Sequence, residues 1–143
     1  MNKILTAVAL ASILAGCAIS QTVRPVGQLD TKQICVIENL RVRDGFQEAY
    51  KAALIQKGYA VKVLPDTAPL TACPVTSTYS ANWRWDLGMY LSYAQINVYK
   101  NGSPIGLAWY DATRGSANMG KFINAQNKID ELVGQLFPDG AGS

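Results

Sequence analysis

Residues 75–85 alternate without interruption. Tyr79, Ala81, Trp83 and Trp85 fall on one side, and Thr76, Thr78, Ser80, Asn82 and Arg84 on the other. Side chains on a strand point to opposite faces with period two, so this stretch predicts a strand with one apolar and one polar face. Leu87-Gly88 can turn the chain, and residues 89–100 read as a second strand. Asn101-Gly102 is then the sequence of a two-residue hairpin, whose central positions both need positive φ. Residues 104–113 return as a third strand. No other feature restricts the fold as much as this three-stranded antiparallel meander.

The two turns set a register. Centring the second hairpin on Asn101-Gly102 places Ile96 opposite Leu107, Val98 opposite Ile105 and Ala94 opposite Trp109. Centring the first on Leu87-Gly88 places Tyr79 opposite Ile96, Ala81 opposite Ala94 and Trp83 opposite Ser92. The aliphatics then share a face with Tyr79, Trp83 and Trp109, whereas a one-residue slip would scatter them. The other face collects Asn82 beside Tyr93 and Tyr110, Arg84 beside Leu91, Ser80 beside Gln95, Thr78 beside Asn97, and Tyr99 towards the far end.

Around the meander, residues 33–38 (QICVIE) are short, apolar and β-branched, the pattern of a strand buried on both faces. Asp44 and Gln47 have the spacing of a capping box. Phe46, Ala49, Tyr50, Ala53 and Leu54 then recur at helical spacing up to Gly58, a fitting left-handed terminator. Residues 59–64 (YAVKVL) complete a strand–helix–strand unit with parallel strands, and residues 65–74 form a loop. Phe122, Ala125, Ile129, Leu132, Val133 and Leu136 mark a second helix, stopped at Phe137-Pro138. The order β-α-β-β-β-β-α predicts an α+β two-layer sandwich, one β-α-β unit followed by the meander and a C-terminal helix. Both helices should lie on one face of a five-stranded sheet. The domain should span residues 33–138, with a loose tail at 139–143.

The start of the chain carries a different signal. Lys3 is followed by an apolar run from Ile4 to Leu14, too short for a membrane-spanning helix of about 20 residues. Leu14-Ala15-Gly16-Cys17 closes it. A charged start, an apolar run and small residues at the boundary are the layout of a removable export signal, residues 1–16. The L-A-G-C ending resembles the lipobox of bacterial lipoproteins. That resemblance implies acylation of Cys17 as residue one of the mature chain, with attachment to membrane lipid through several acyl chains. Ala18 stands where an inner-membrane retention aspartate would be expected, which implies the outer membrane and a domain facing the periplasm. Residues 17–32, with Pro25 and Gly27, then read as the lipidated cysteine and a flexible tether.

Cleavage before Cys17 leaves 127 residues, enough for one domain with a real core. Twelve basic and ten acidic residues remain, spread without runs, which argues against a nucleic-acid partner. In the periplasm the two further cysteines, Cys35 and Cys73, most often pair. Such a bridge stabilises by about 4 kcal/mol in the chain-entropy model. Two inert buried thiols or a redox pair are the alternatives, and no C-x-x-C motif is present to lower a thiol pKa.

Histidine is absent. Its absence excludes Ser-His-Asp and Cys-His nucleophile systems and the usual zinc ligand sets. No nucleophile elbow, phosphate loop or dinucleotide fingerprint occurs, so neither a cofactor nor a resident metal is expected. Asp86 and Asp111 are the candidate acids for a hydrolase or a carbohydrate-binding protein that also uses nearby aromatics. Turn hydrogen bonds at Asp86 and an arginine partner at Asp111 explain both residues without catalysis. Arg84, Tyr93, Tyr99 and Tyr110 are the candidate partner-binding residues, because tyrosine and arginine with few aliphatics are what protein interfaces favour.

Cys73-Pro74, Tyr79-Ser80-Ala81 and Trp85-Asp86, followed by Y-L-S-Y-A, resemble a C-P…Y-x-A-x-x-x-W-D signature of small Gram-negative envelope lipoproteins. The resemblance spans most of the mature chain and implies no activity. Its expected function is a non-enzymatic binding or assembly module for another envelope protein or a cell-wall component.

Overall fold

A computed structural model describes residues 18–115 and 118–141. The expected signal segment, residues 1–16, and the expected lipidation site, Cys17, lie outside the described residues.

The elements are β1 (Ser20–Arg24), β2 (Gln33–Ile37), α1 (Phe46–Gln56), β3 (Ala60–Leu64), β4 (Val75–Trp85), β5 (Met89–Lys100), β6 (Ser103–Asp111), a 3-10 turn (Met119–Phe122) and α2 (Ala125–Leu136). They build an α+β two-layer sandwich with one mixed sheet in the order β1-β6-β5-β4-β2-β3. As expected, β2 and β3 are parallel and joined through α1, and β4, β5 and β6 form an antiparallel meander. Asn101 and Gly102 both take positive φ, the geometry that a two-residue turn demands.

The sheet has six strands, not five. The additional strand comes from the expected tether: Ser20–Arg24 pairs antiparallel with β6, from Ser20 opposite Asp111 to Arg24 opposite Leu107. Val26 follows, buried, and its N–H donates to the carbonyl of Leu136. Inward-facing Gln21 bonds Lys128 and Gln135 of α2. The tail is also docked, because Tyr59 donates to the Gly140 carbonyl and the Ala141 N–H to Lys57.

Two β-bulges decide which side chains enter the core. Tyr99 faces Pro104, but Val98 faces Gly106, so Ile105 is an extra residue in β6. A bulge inverts the alternation downstream of it. Trp109 therefore pairs with Gln95 rather than Ala94, and Leu107 and Trp109 leave the core face. Gly106, Ala108 and Tyr110 take their places. The reason lies at Gly106: a Cβ there would sit 2.4 Å from Val26 Cγ1 and 3.2 Å from Leu136 Cδ1. Only glycine lets β1 and α2 close over this point. In the first hairpin Asn82 faces Tyr93 as expected, but Ser92 is the extra residue, so Trp83 faces Leu91 and Arg84 faces Tyr90.

Both helices pack on one face, against each other and against the sheet. Helix α1 lays Phe46 over Tyr79, with ring centroids 5.2 Å apart, and Trp83 meets Phe46 edge-on at 6.3 Å. Buried Tyr50 donates to Ser77 Oγ (2.7 Å), which donates in turn to the Asn97 carbonyl. Burial raises the Tyr50 pKa. Asp44 does not cap α1. Gly45, at φ +104°, occupies the N-cap without a side-chain bond, and Gln47 instead accepts from Tyr79. Gly58 ends this helix with positive φ, as its position suggested. Helix α2 begins at Asn124, whose side chain accepts from the Gln126 and Asn127 N–H groups. Cys35 and Cys73 form a disulfide with a Cα separation of 6.3 Å, which pins loop 65–74 across one end of the opposite sheet face. There Thr76 donates to the Leu70 carbonyl.

Candidate functional site

The helix-free sheet face is built from rows set by strand pairing. Asn82, Tyr93, Asp111 and Ser20 form the first row; Ser80, Gln95, Trp109 and Thr22 the second; Thr78, Asn97, Leu107 and Arg24 the third. Along β5 the side chains form a ladder in which the Tyr93 hydroxyl donates to Gln95 Oε1, and Gln95 Nε2 donates to Asn97 Oδ1. Trp109 stands edge-on to Tyr93 at 6.5 Å between centroids. Loop 65–74 covers the Thr76 end, and Tyr93, Tyr99 and Trp109 remain half-buried while Arg84 is exposed.

Three of the four partner residues expected from sequence thus lie outside the helix-covered core: Arg84, Tyr93 and Tyr99. Tyr110 does not, and this corrects the expectation. It is 1% exposed beneath α2, where Lys128 Nζ lies 4.8 Å from its ring centroid. Among the described residues its hydroxyl has no hydrogen-bond partner. Burial pushes its pKa up, with the Glu131 charge adding to the effect. Trp109, expected in the core, takes the place of Tyr110 on the open face, for the single reason of the bulge at Ile105. The contribution of β1 was hidden in a segment with too few apolar residues to signal a strand.

At the edge of this face, Ala18, Ser20, Trp109, Asp111 and Arg114 line a depression of about 280 Å³. A larger one of about 410 Å³ opens between the N-termini of α1 and α2, floored by Phe46, Trp83 and Ile129. Arg43 lies over the Trp83 ring there, 5.5 Å from its centroid.

The two candidate acids serve separate structural contacts. Asp86 pairs with Lys121, a lysine with 2% of its side chain exposed. The Lys121 ammonium also lies within 5.3 Å of the ring centroids of Tyr90 and Phe122. Asp111 Oδ1 accepts from both the N–H and the hydroxyl of Thr113, closing the turn after β6. Among the described residues no group of three or more acidic or cysteine side chains could hold a metal ion. No described helix is long and apolar enough to cross a membrane.

No protein-family model and no curated protein matches the chain. Solved structures do. A point variant of the PelC dodecamer from Paraburkholderia phytofirmans superposes with a TM-score of 0.59 at 14% identity, covering 83% of this chain and 97% of that one. The PelC dodecamer from the same organism gives 0.58 at 14% identity, covering 84% and 98%. At this identity the likeness is one of fold.

Proposed function

We propose that this protein is an envelope lipoprotein, acylated at Cys17 and held at the outer membrane facing the periplasm. It works there without catalysis, as a binding and assembly module. The observation that carries this reading is the junction between leader and domain. Leu14-Ala15-Gly16-Cys17 ends an export-type segment, and the first strand of the sheet begins three residues later at Ser20. The open face bearing Tyr93, Tyr99, Trp109 and Arg84 is the surface offered to another envelope protein or a cell-wall component. Fold neighbours that are dodecamers add support for a chain that assembles with copies of itself.

The test has three parts. Cys17→Ser should abolish acyl labelling and membrane fractionation; retention of both overturns the anchor. Crosslinking in intact envelopes should capture the partner, and Tyr93→Ala with Trp109→Ala should weaken that capture while the fold is kept. A hydrolase using Asp86 and Asp111 would instead lose function in Asp111→Asn. The asparagine Oδ1 can still accept from Thr113, so that change leaves the turn intact.

A further inference from the structure

The exposed large apolar side chains concentrate at one end of the sheet. Trp85 (73% exposed), Leu87 (90%) and Met89 (52%) form the tip of the β4–β5 hairpin. Met119 (70%) lies in the 3-10 turn that packs on β5. Ile123, directly after that turn, belongs to the same end. Leu40, Ile55 and Val63 are the other exposed large apolar residues in the described chain.

The start of the domain lies at this end too. Ser20 pairs with Asp111, Asp111 with Tyr93 and Tyr93 with Asn82; Trp85 and Met89 lie just beyond that row. Ala18, the first described residue, directly follows Cys17 in the sequence. The opposite end offers a polar tip, Asn101-Gly102, and the Lys100–Asp30 ion pair.

We propose that the Trp85-Leu87-Met89 tip, with Met119, inserts into the lipid surface beside Cys17, so that the domain stands on the membrane on its apolar end. This rests on acylation of Cys17. Tryptophan, leucine and methionine partition into the boundary between head groups and acyl chains, and tryptophan is enriched there. The charges agree. Asp86, the one acid of the tip, is neutralised by Lys121, and exposed Arg84 and Arg114 flank the end as partners for anionic head groups. Leu87 adopts φ +60°, a conformation that glycine or asparagine would hold more easily, with its side chain turned fully outward. With β1 beginning at Ser20, no long spacer lifts the domain away from the lipid.

The chain has three tryptophans, so Trp83→Phe with Trp109→Phe leaves Trp85 as reporter. The purified full-length protein is placed on phosphatidylethanolamine/phosphatidylglycerol vesicles, and flotation and intact mass read the acyl anchor. Lipids brominated on the upper acyl chain should then cut Trp85 emission about twofold, because an inserted side chain reaches about 5–10 Å into the boundary. Leu87→Glu with Met89→Glu should abolish that quenching while the protein still floats. In the otherwise native chain, Trp85→Phe should remove the quenched component without touching the core. Flotation without quenching overturns the insertion and leaves the anchor standing. Blue-shifted, concentration-dependent emission that brominated lipid does not quench assigns the tip to a second copy and overturns the proposal. An unacylated protein that fails to float overturns the anchor, and the insertion with it.

Discussion

Trp109→Ala and Tyr110→Ala, adjacent residues with opposite burial, should differ sharply in cost. Tyr110 is 1% exposed under α2, so truncating it removes a whole ring from the packed layer between sheet and helix. Large-to-small changes of that kind cost about 3–5 kcal/mol. Trp109 loses one edge-on contact with Tyr93 on an open face, and such pairs contribute about 0.5–1.5 kcal/mol. In urea, with a slope of about 2 kcal/mol per molar, the midpoint should fall by roughly 2 M for Tyr110→Ala and by roughly 0.5 M for Trp109→Ala. Tyr110→Phe supplies the control. It keeps the ring and deletes a buried hydroxyl without a described partner, so stability should rise by about 1 kcal/mol. Equilibrium unfolding followed by far-UV circular dichroism measures all three without depending on the tryptophan signal. The unbulged register, with Trp109 inside and Tyr110 outside, requires the reverse order. Observing that order would refute the bulge at Ile105 and the assignment of the open face together.

Gly106→Ala should cost about 1–3 kcal/mol or more, because its Cβ would press on Val26 and Leu136; equal midpoints for variant and native protein would contradict the close docking of β1. Replacing Cys35 and Cys73 together by alanine should cost up to about 4 kcal/mol from loop-closure entropy, read as a urea midpoint shift under oxidising conditions that vanishes in reductant. Burial first raises the pKa values of Tyr50, Tyr59, Tyr79 and Tyr110 in the fold. The unfolded chain therefore releases these protons first, and stability should be unaffected by them below pH about 10 and decline above it. A flat unfolding free energy between pH 9 and pH 11 would rule this out. Asp86→Asn should lower thermal stability by loosening the hairpin tip, since Lys121 would lose the carboxylate that compensates its buried charge.

Much of the fold is legible in short-range chemistry. Alternation over residues 75–85 and the turn at Asn101-Gly102 specify the meander. The β-branched run at 33–38 and the helical spacing after Phe46 specify the parallel unit. Periodicity from Ala125 to Leu136 specifies the second helix, and Tyr79, Ile96 and Val98 are buried where that reading puts them. These patterns are written in neighbouring residues, so the sequence alone determines them. The open face is half legible for the same reason, since Tyr93 and Tyr99 follow from the alternation of β5 alone. Tyr110 and Trp109 do not. Their sides depend on whether one extra residue enters β6, and that depends on Val26 and Leu136 closing over Gly106 from segments far away in the chain. The edge strand at Ser20–Arg24 has too little apolar content to declare itself and exists because β6 offers it a ladder. The Asp86–Lys121 contact and the apolar end of the sheet likewise arise only when the hairpin and the 3-10 turn come together. Local periodicity determines what each segment is; long-range packing decides which side chain of a bulged strand faces in, because a single inserted residue reverses every side chain beyond it.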